Sequence, residues 1–162
     1  IPEERIFEIE GNCLDMQCAK LCSPEVDSAK DVLSKIYDKY HNGVQWSTDI
    51  PTCPHCGGKM KVHIEVDHKF AKDEQWNISY KNYRNFLKTD SSKRIVFLEL
   101  GIGARNQLIK APFMKMVYSN ENSVYITINK GELLIPDCIK DRAYGVDGDL
   151  NESFDLILNK KL

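Results

Sequence analysis

The spacing of apolar residues predicts a strand, a helix and a further strand in the first part of this chain. Residues 6–9 alternate apolar and polar side chains, which is typical of a strand. Ser23-Pro24-Glu25 is a helix-start pattern, and apolar residues at helical spacing follow it up to Asn42-Gly43. Residues 59–66 alternate more weakly and predict a short strand.

Two further helices are predicted by the same periodicity. Apolar and aromatic positions recur at helical spacing over residues 76–87, and this helix is expected to end near Thr89-Asp90. A closing helix is predicted around residues 151–160. These helices lie on either side of a segment with a different pattern.

That segment predicts a parallel sheet. Residues 94–100 form a nearly continuous apolar run that stops at a glycine loop, which is typical of a strand buried on both faces. Residues 124–128 form a second such strand, and residues 143–146 a possible third. Strands separated by helix-length segments indicate an α/β protein with half of a doubly wound, Rossmann-like parallel sheet.

Composition and charge narrow the class of protein. The chain has 162 residues, of which 42% are hydrophobic and 28% charged, and these values describe an ordinary globular protein. The net charge of −2 gives no electrostatic reason to expect nucleic acid or an anionic membrane as a partner. No apolar run approaches the roughly 20 residues of a membrane span. The chain also begins without Met, so we expect residues upstream to be missing.

Four of the six cysteines have the spacing of a zinc site. Cys18-x3-Cys22 and Cys53-x2-Cys56 are two short thiolate pairs, and together they can supply four sulfurs in tetrahedral geometry. Disulfides or unrelated buried thiols are the alternatives. Paired cysteines at metal spacing fit a reducing compartment, so the cytoplasm is expected.

The remaining potential ligands are less specific. Cys13 and Cys138 have no partner at metal spacing and are predicted to be plain thiols. Potential ligands are also dense between residues 63 and 68 (His63, Glu65, Asp67 and His68). The i, i+2 spacing places His63, Glu65 and Asp67 on one face of a strand, which is either a solvated polar face or, as the alternative, a second metal site.

Three loops follow the predicted parallel strands and indicate a ligand site. Gly101-Ile102-Gly103 follows the first strand, Asn129 the second, and Gly148-Asp149-Leu150 the third. Ligands of open α/β sheets bind outside the carboxyl ends of the strands, so these loops are expected to converge on one crevice. The glycines can equally form a tight turn, and Asn is a common turn former.

The order of these motifs resembles the C-terminal half of a sirtuin. Within that family it is most similar to class M, a group of bacteria and fungi found beside macrodomain and lipoate-ligase-like proteins. The resemblance rests on an ordered set of motifs: Glu8-Ile9-Glu10-Gly11, the split four-cysteine site, Leu98-Glu99-Leu100-Gly101-Ile102-Gly103, Ile109-Lys110-x-Pro112-Phe113, Ile128-Asn129 and Gly148-Asp149.

The resemblance implies a cofactor, a metal and a domain plan. NAD would lie between a Rossmann domain and a lobe held together by one structural zinc ion. Residues 1–17 would be a Rossmann-domain strand and the entry to the zinc lobe, 18–66 the zinc lobe, and 67–162 the C-terminal part of the Rossmann-like domain. The N-terminal half of the family fold is absent, so this chain alone is expected to bind NAD weakly and to be inactive.

The resemblance also assigns cofactor-binding residues. Gly101, Ile102 and Gly103 would pack beside the adenosine ribose, and Asn129 would hydrogen-bond its hydroxyls. The backbone of Leu150 would meet the adenine.

Two departures from ordinary sirtuins bear on the activity. Glu10 stands where deacetylases carry a histidine base, and residues 70–74 lack the loop that grips acyl-lysine. The resemblance therefore implies transfer of ADP-ribose to a protein, such as a lipoyl-carrier protein, with release of nicotinamide and possible association with a macrodomain protein. Glu10 would face the developing oxocarbenium charge or only orient the ribose. The alternatives are a deacylase of the same fold and a non-catalytic zinc-ribbon interaction module.

Overall fold

The computed structural model describes residues 1–43, 50–88 and 93–159, and the chain divides into two compact units. The first unit is Ile1–Leu87 and the second is Lys88–Leu162. The first contains an antiparallel sheet and the second a parallel one, so the predicted mixed α/β class is confirmed. Within the described residues, no helix is both long enough and apolar enough to cross a bilayer.

The first unit is built on a three-stranded antiparallel sheet. The order of its strands is β2-β1-β3, and all three pair through the central strand β1. Its elements in chain order are a short 3-10 helix Glu3–Arg5, β1 Gly11–Cys18, β2 Val26–Ser28, α1 Lys30–His41, β3 Met60–Ile64 and α2 Glu74–Leu87. The small core beneath α1 consists of Met16, Cys18, Ala29, Cys53 and Met60.

The predicted strand at residues 6–9 is wrong, and the first strand starts at Gly11. Phe7 packs against the rings of three aromatic residues of α2, with ring centroids 5.3 Å from Trp76, 5.9 Å from Tyr80 and 5.5 Å from Tyr83. The indole Nε1 of Trp76 also donates to the carbonyl of Ile9 at 3.3 Å. The alternation of residues 6–9 therefore reflects packing on a helix and not pairing in a sheet.

The start of the first helix is also displaced. The helix-start pattern at Ser23-Pro24-Glu25 precedes β2, and α1 begins only at Lys30. Pairing of Val26–Ser28 with β1 takes these residues into the sheet, which a local pattern does not reveal. The predicted end is confirmed, because Asn42 caps the helix. The short strand at 59–66 and the helix over 76–87 are confirmed as β3 and α2, whereas Thr89 and Asp90 lie outside the described residues.

A glycine is required at position 11, where the start of β1 pairs with the end of β3. Its φ is +74°, and a Cβ built at this position would lie 2.1 Å from the backbone carbonyl oxygen of His63. We expect Gly11→Ala to destabilise the protein by about 3 kcal/mol, because it adds left-handed strain and an overlap with backbone. Denaturant unfolding measures this loss.

Gly43→Ala is the matched control for this prediction. Gly43 has a φ of +75°, but no atom of the residues that the structure describes lies within 4 Å of a Cβ built there. Its substitution should therefore cost only the left-handed strain, about 1 kcal/mol. Equal losses in the two variants would contradict the close approach of Gly11 to β3.

The second unit is built on a parallel sheet with the strand order β4-β5-β6. Its elements are β4 Ile95–Leu100, α3 Gln107–Ser119, β5 Ser123–Asn129, a 3-10 helix Asp137–Arg142, β6 Ala143–Asp147 and α4 Leu150–Asn159. All three strands and the closing helix agree with the predicted pattern. Phe97, Met114, Val117, Tyr125 and Ile139 form the core between the sheet and α3.

The prediction that strand β4 is buried on both faces is wrong. Phe97 and Glu99 are buried, whereas the exposed fraction is 54% for Val96, 49% for Leu98 and 39% for Leu100. Alternate side chains of a strand point to opposite faces of the sheet. The core with α3 lies on the face of Phe97, so the residues of the other face remain accessible in this chain.

Candidate functional site

The first candidate site is the group of four cysteines in the first unit. Cys18 ends β1 and Cys22 follows in a turn, while Cys53 and Cys56 lie in the turn before β3. The two turns are tied together where the amide of Ala19 donates to the carbonyl of Lys59 at 3.0 Å. Cys18 and Cys53 are buried, and Cys22 and Cys56 are exposed at the rim.

The distances between the four sulfurs suit a metal ion. Their Sγ atoms all lie within 4.8 Å of one another, with Cys18 to Cys56 at 3.6 Å and Cys22 to Cys53 at 3.5 Å. A tetrahedron with metal–sulfur bonds of about 2.3 Å has edges of roughly 3.8 Å, whereas a disulfide bond is about 2.05 Å. In the described part of the chain all six cysteines are free thiols. The group could therefore hold one metal ion, and the disulfide alternative does not describe this structure.

The surroundings favour charge on one of these sulfurs. The backbone amide of Cys22, together with that of Lys20, hydrogen-bonds to Cys18 and lowers the pKa of its thiol to about 6 against the effect of burial. The pKa of Cys22 is raised, because its thiol shares hydrogen bonds with the sulfurs of Cys56, Cys18 and Cys53. Thiolates are the form in which cysteine binds metals, so this donor set fits a cation.

The potential ligands between residues 63 and 68 do not form a second metal site in the described part of the chain. His63 is buried, its ring stacks on Phe70, and its Nε2 pairs with the carbonyl of Ala71 at 2.9 Å. Asp67 accepts from Lys61 Nζ at 3.1 Å and from the amide of Lys69 at 2.7 Å. Over residues 1–43, 50–88 and 93–159, the four cysteines are the one group with metal-binding geometry.

The second candidate site is the carboxyl edge of the parallel sheet. The amide of Gly101 donates to the carbonyl of Ile128 at 2.9 Å, which keeps the glycine loop beside the end of β5. Asn129 is paired with Asp147 in the register of β5 and β6. The Cδ1 atom of Leu150 lies 3.4 Å from a Cβ built at Gly101. The structure thus brings the three predicted loops to one edge, and their role in binding stays a prediction.

Glu132 is part of this edge and was not found from the sequence. Its Oε2 accepts from the amide of Ala104 at 3.0 Å and lies 2.9 Å from a Cβ built at Gly103. Its backbone carbonyl accepts from Nδ2 of Asn129 at 2.9 Å. An acid in the turn after a strand that ends in Asn was the available signal, but nothing in the spacing showed which loop it would reach.

A buried polar network lies directly beneath the same edge. Lys110 of α3 and Glu99 of β4 form an ion pair with both side chains fully buried. The hydroxyl of Thr127 donates to Glu99 Oε1 at 2.8 Å, and Lys110 Nζ lies 3.4 Å from the hydroxyl of Tyr125. Burial, followed by the Glu99 carboxylate, raises the pKa of Tyr125. The network joins β4, β5 and α3 just before the glycine loop.

Glu10 lies in the first unit, at the turn before β1. It is half-buried, and its backbone carbonyl accepts from the amide of Glu65 at 2.9 Å. This contact fixes the backbone of Glu10 against the end of β3. The predicted role of its carboxylate stays a prediction.

Comparison with known proteins finds similarity to ADP-ribosyltransferases. It is 28% identical over 149 residues to a protein ADP-ribosyltransferase of Staphylococcus aureus strain Mu50, covering 90% of this chain and 47% of that protein. The chain is related to ADP-ribosyltransferases. It is also 24% identical over 169 residues to a "probable bifunctional ADP-ribose hydrolase/ADP-ribosyltransferase" of Fusarium oxysporum f. sp. cubense, covering 97% of this chain and 28% of that protein.

The chain spans about half the length of the first of these ADP-ribosyltransferases and a smaller part of the second. No protein-family model matches it. The resemblance to class M sirtuins is more specific than either name and stays a prediction.

Proposed function

We propose that this chain belongs to an NAD-dependent protein ADP-ribosyltransferase of the class M sirtuin type. The observation that carries the proposal is the similarity to a protein ADP-ribosyltransferase, which covers 90% of the chain and so includes residues of both units. The sulfur geometry of the first unit and the convergence of three loops in the second are consistent with the motifs on which the resemblance rests.

The proposed roles of the two sites are different. Cys18, Cys22, Cys53 and Cys56 hold one structural zinc ion, which ties the turns of the first unit together. Gly101, Ile102, Gly103, Asn129 and Leu150 bind the adenosine side of NAD. NAD supplies an activated ADP-ribosyl group with nicotinamide as leaving group, and the residues of this chain orient it. On its own the chain is expected to bind NAD only weakly.

The proposed acceptor is a protein, and the class M resemblance suggests a lipoyl-carrier protein. The same resemblance suggests a macrodomain protein as a further partner. The proposed location is the cytoplasm. The support for this step is the resemblance alone. The substitution of Glu10 for a histidine base, together with the missing acyl-lysine loop, favours transfer over deacylation.

The test is a transfer assay on the full-length protein with NAD and a purified lipoyl-carrier protein, with and without its lipoyl group. Mass spectrometry should detect one added ADP-ribosyl group on the carrier, with release of nicotinamide. We expect Glu10→Ala to lower the rate about 100-fold, because it removes a negative charge that would stabilise the oxocarbenium-like transition state.

Glu4→Ala is the matched control, since Glu4 is an exposed carboxylate of the same unit. It should leave the rate unchanged. Full activity of Glu10→Ala would exclude a catalytic role for Glu10. Removal of acyl groups from peptides without any transfer of ADP-ribose would replace the proposed activity by deacylation.

A further inference from the structure

The carboxylate of Glu132 lies on the loop that is proposed to hold the adenosine ribose. Its Oε2 is 3.0 Å from the amide nitrogen of Ala104 and 2.9 Å from a Cβ built at Gly103. Apart from Gly103 and its two chain neighbours, the atoms of the described residues within 4 Å of that Cβ position all belong to Glu132. Because Gly103 has no side chain, the carboxylate can lie against the loop where a larger residue would displace it.

The position of Glu132 is fixed from both neighbouring strands. Nδ2 of Asn129, at the end of β5, donates to its backbone carbonyl at 2.9 Å. The preceding amide, that of Gly131, donates to Oδ1 of Asp147 at the end of β6 at 2.7 Å. The turn that carries Glu132 is therefore tied to the ends of two strands, and the side chain reaches the loop after the third.

The chemistry of a carboxylate in this position selects between two forms of the cofactor. An ionised carboxylate only accepts hydrogen bonds, so it suits the two hydroxyl donors of an unmodified ribose. A 2′-phosphate adds roughly −1.5 to −2 charge and presents only acceptors, so it would be repelled. Dinucleotide-binding folds use an acid near the ribose for NAD and an arginine for its 2′-phosphate.

The two basic residues nearest in sequence to Gly103 and Glu132 do not lie against the glycine loop at Gly103. Arg105 and Lys130 are both exposed, and no atom of either lies within 4 Å of the Cβ position at Gly103. The group that faces the loop is the acid.

We propose that Glu132 is the residue that makes this chain select NAD over NADP. The inference rests on the proposed binding of NAD at the carboxyl edge of the parallel sheet. Glu132 accepts hydrogen bonds from the ribose hydroxyls of the adenosine and repels a phosphate at the 2′ position.

The test is a titration of the full chain with NAD and with NADP, followed through the amide signals of Gly103 and Ala104 by NMR, which measures weak binding residue by residue. The wild type should bind NAD more tightly than NADP. Glu132→Gln should lower the ratio of the two affinities about tenfold, because it removes the charge and keeps the shape. Glu132→Asp should restore part of the preference.

Glu121→Gln is the matched control, because Glu121 is an exposed acid in the turn before β5, at the opposite end of the strand. Its affinity ratio should equal that of the wild type. An unchanged ratio in Glu132→Gln, or an equal loss of affinity for both cofactors, would overturn the selective role. A wild-type chain whose signals do not respond to NAD would instead overturn the proposed NAD site, and the inference with it.

Discussion

Cys53→Ser is expected to abolish binding of the proposed zinc ion and to destabilise the first unit strongly. Cys53 is 3% exposed, belongs to the small core with Met16, Ala29 and Met60, and has its sulfur 3.5 Å from that of Cys22. A core of this size contributes little free energy of folding, and small units commonly depend on a metal for stability. Structural zinc contributes apparent binding free energies of about 10–16 kcal/mol in small zinc domains.

The measurement combines metal content with unfolding. Native mass spectrometry should find one zinc per wild-type chain and none in Cys53→Ser, and a strong chelator should lower the unfolding temperature of the wild type towards that of the variant. We expect the loss of stability to be at least about 3 kcal/mol, since it combines lost metal binding with a polar group in the core.

Cys13→Ser and Cys138→Ser are the controls. Both thiols are exposed and stand outside the four-cysteine group, so both variants should keep the zinc and the stability of the wild type. A Cys53→Ser protein that retains one zinc would remove Cys53 from the ligand set. A wild-type protein that is purified without metal and is insensitive to chelator would contradict the zinc site itself.

The parts of this fold that sequence predicted are those whose cause is local. The spacing of Cys18 and Cys22, and of Cys53 and Cys56, places the two thiols of each pair on one tight turn, whereas the pairing of β1 with β3 brings the two turns together. The apolar run of β4 is followed by a glycine, and the strand ends at the residue before it. The end of α1 was likewise marked by residues within it and next to it.

The parts that sequence missed depend on distant segments. Val26–Ser28 has the flanking residues of a helix start, yet pairing with Asp15–Gln17 of β1 makes it a strand. Burial of β4 on both faces was inferred from its composition, but burial depends on which elements cover the sheet. Glu132 reaches Gly103 only because two strand ends are adjacent, and no spacing along the chain encodes that approach.

The buried pair of Glu99 and Lys110 is the clearest case of such a contact and leads to the second large effect. Sequence marked both residues only as parts of motifs, whereas the structure buries both and pairs them. Lys110→Met should destabilise the protein by about 3–5 kcal/mol, because the carboxylate of Glu99 stays buried without its counter-charge. Denaturant unfolding measures this loss, and Lys115→Met, on the exposed side of the same helix, should change stability by less than about 0.5 kcal/mol.

The double variant Glu99→Leu with Lys110→Met shows whether stability requires the ion pair itself or only the absence of an unpaired buried charge. Replacement of both members by apolar residues removes the unpaired charge, so most of the stability should return. Oε2 of Glu99 already lacks a hydrogen-bond partner among the described residues, which makes the carboxylate costly even in the wild type. If the double variant is as unstable as Lys110→Met, the loss comes from packing around the lysine stem and not from the charge of Glu99. If it is stable but binds NAD less well, the pair serves to position the glycine loop that follows Glu99 by two residues.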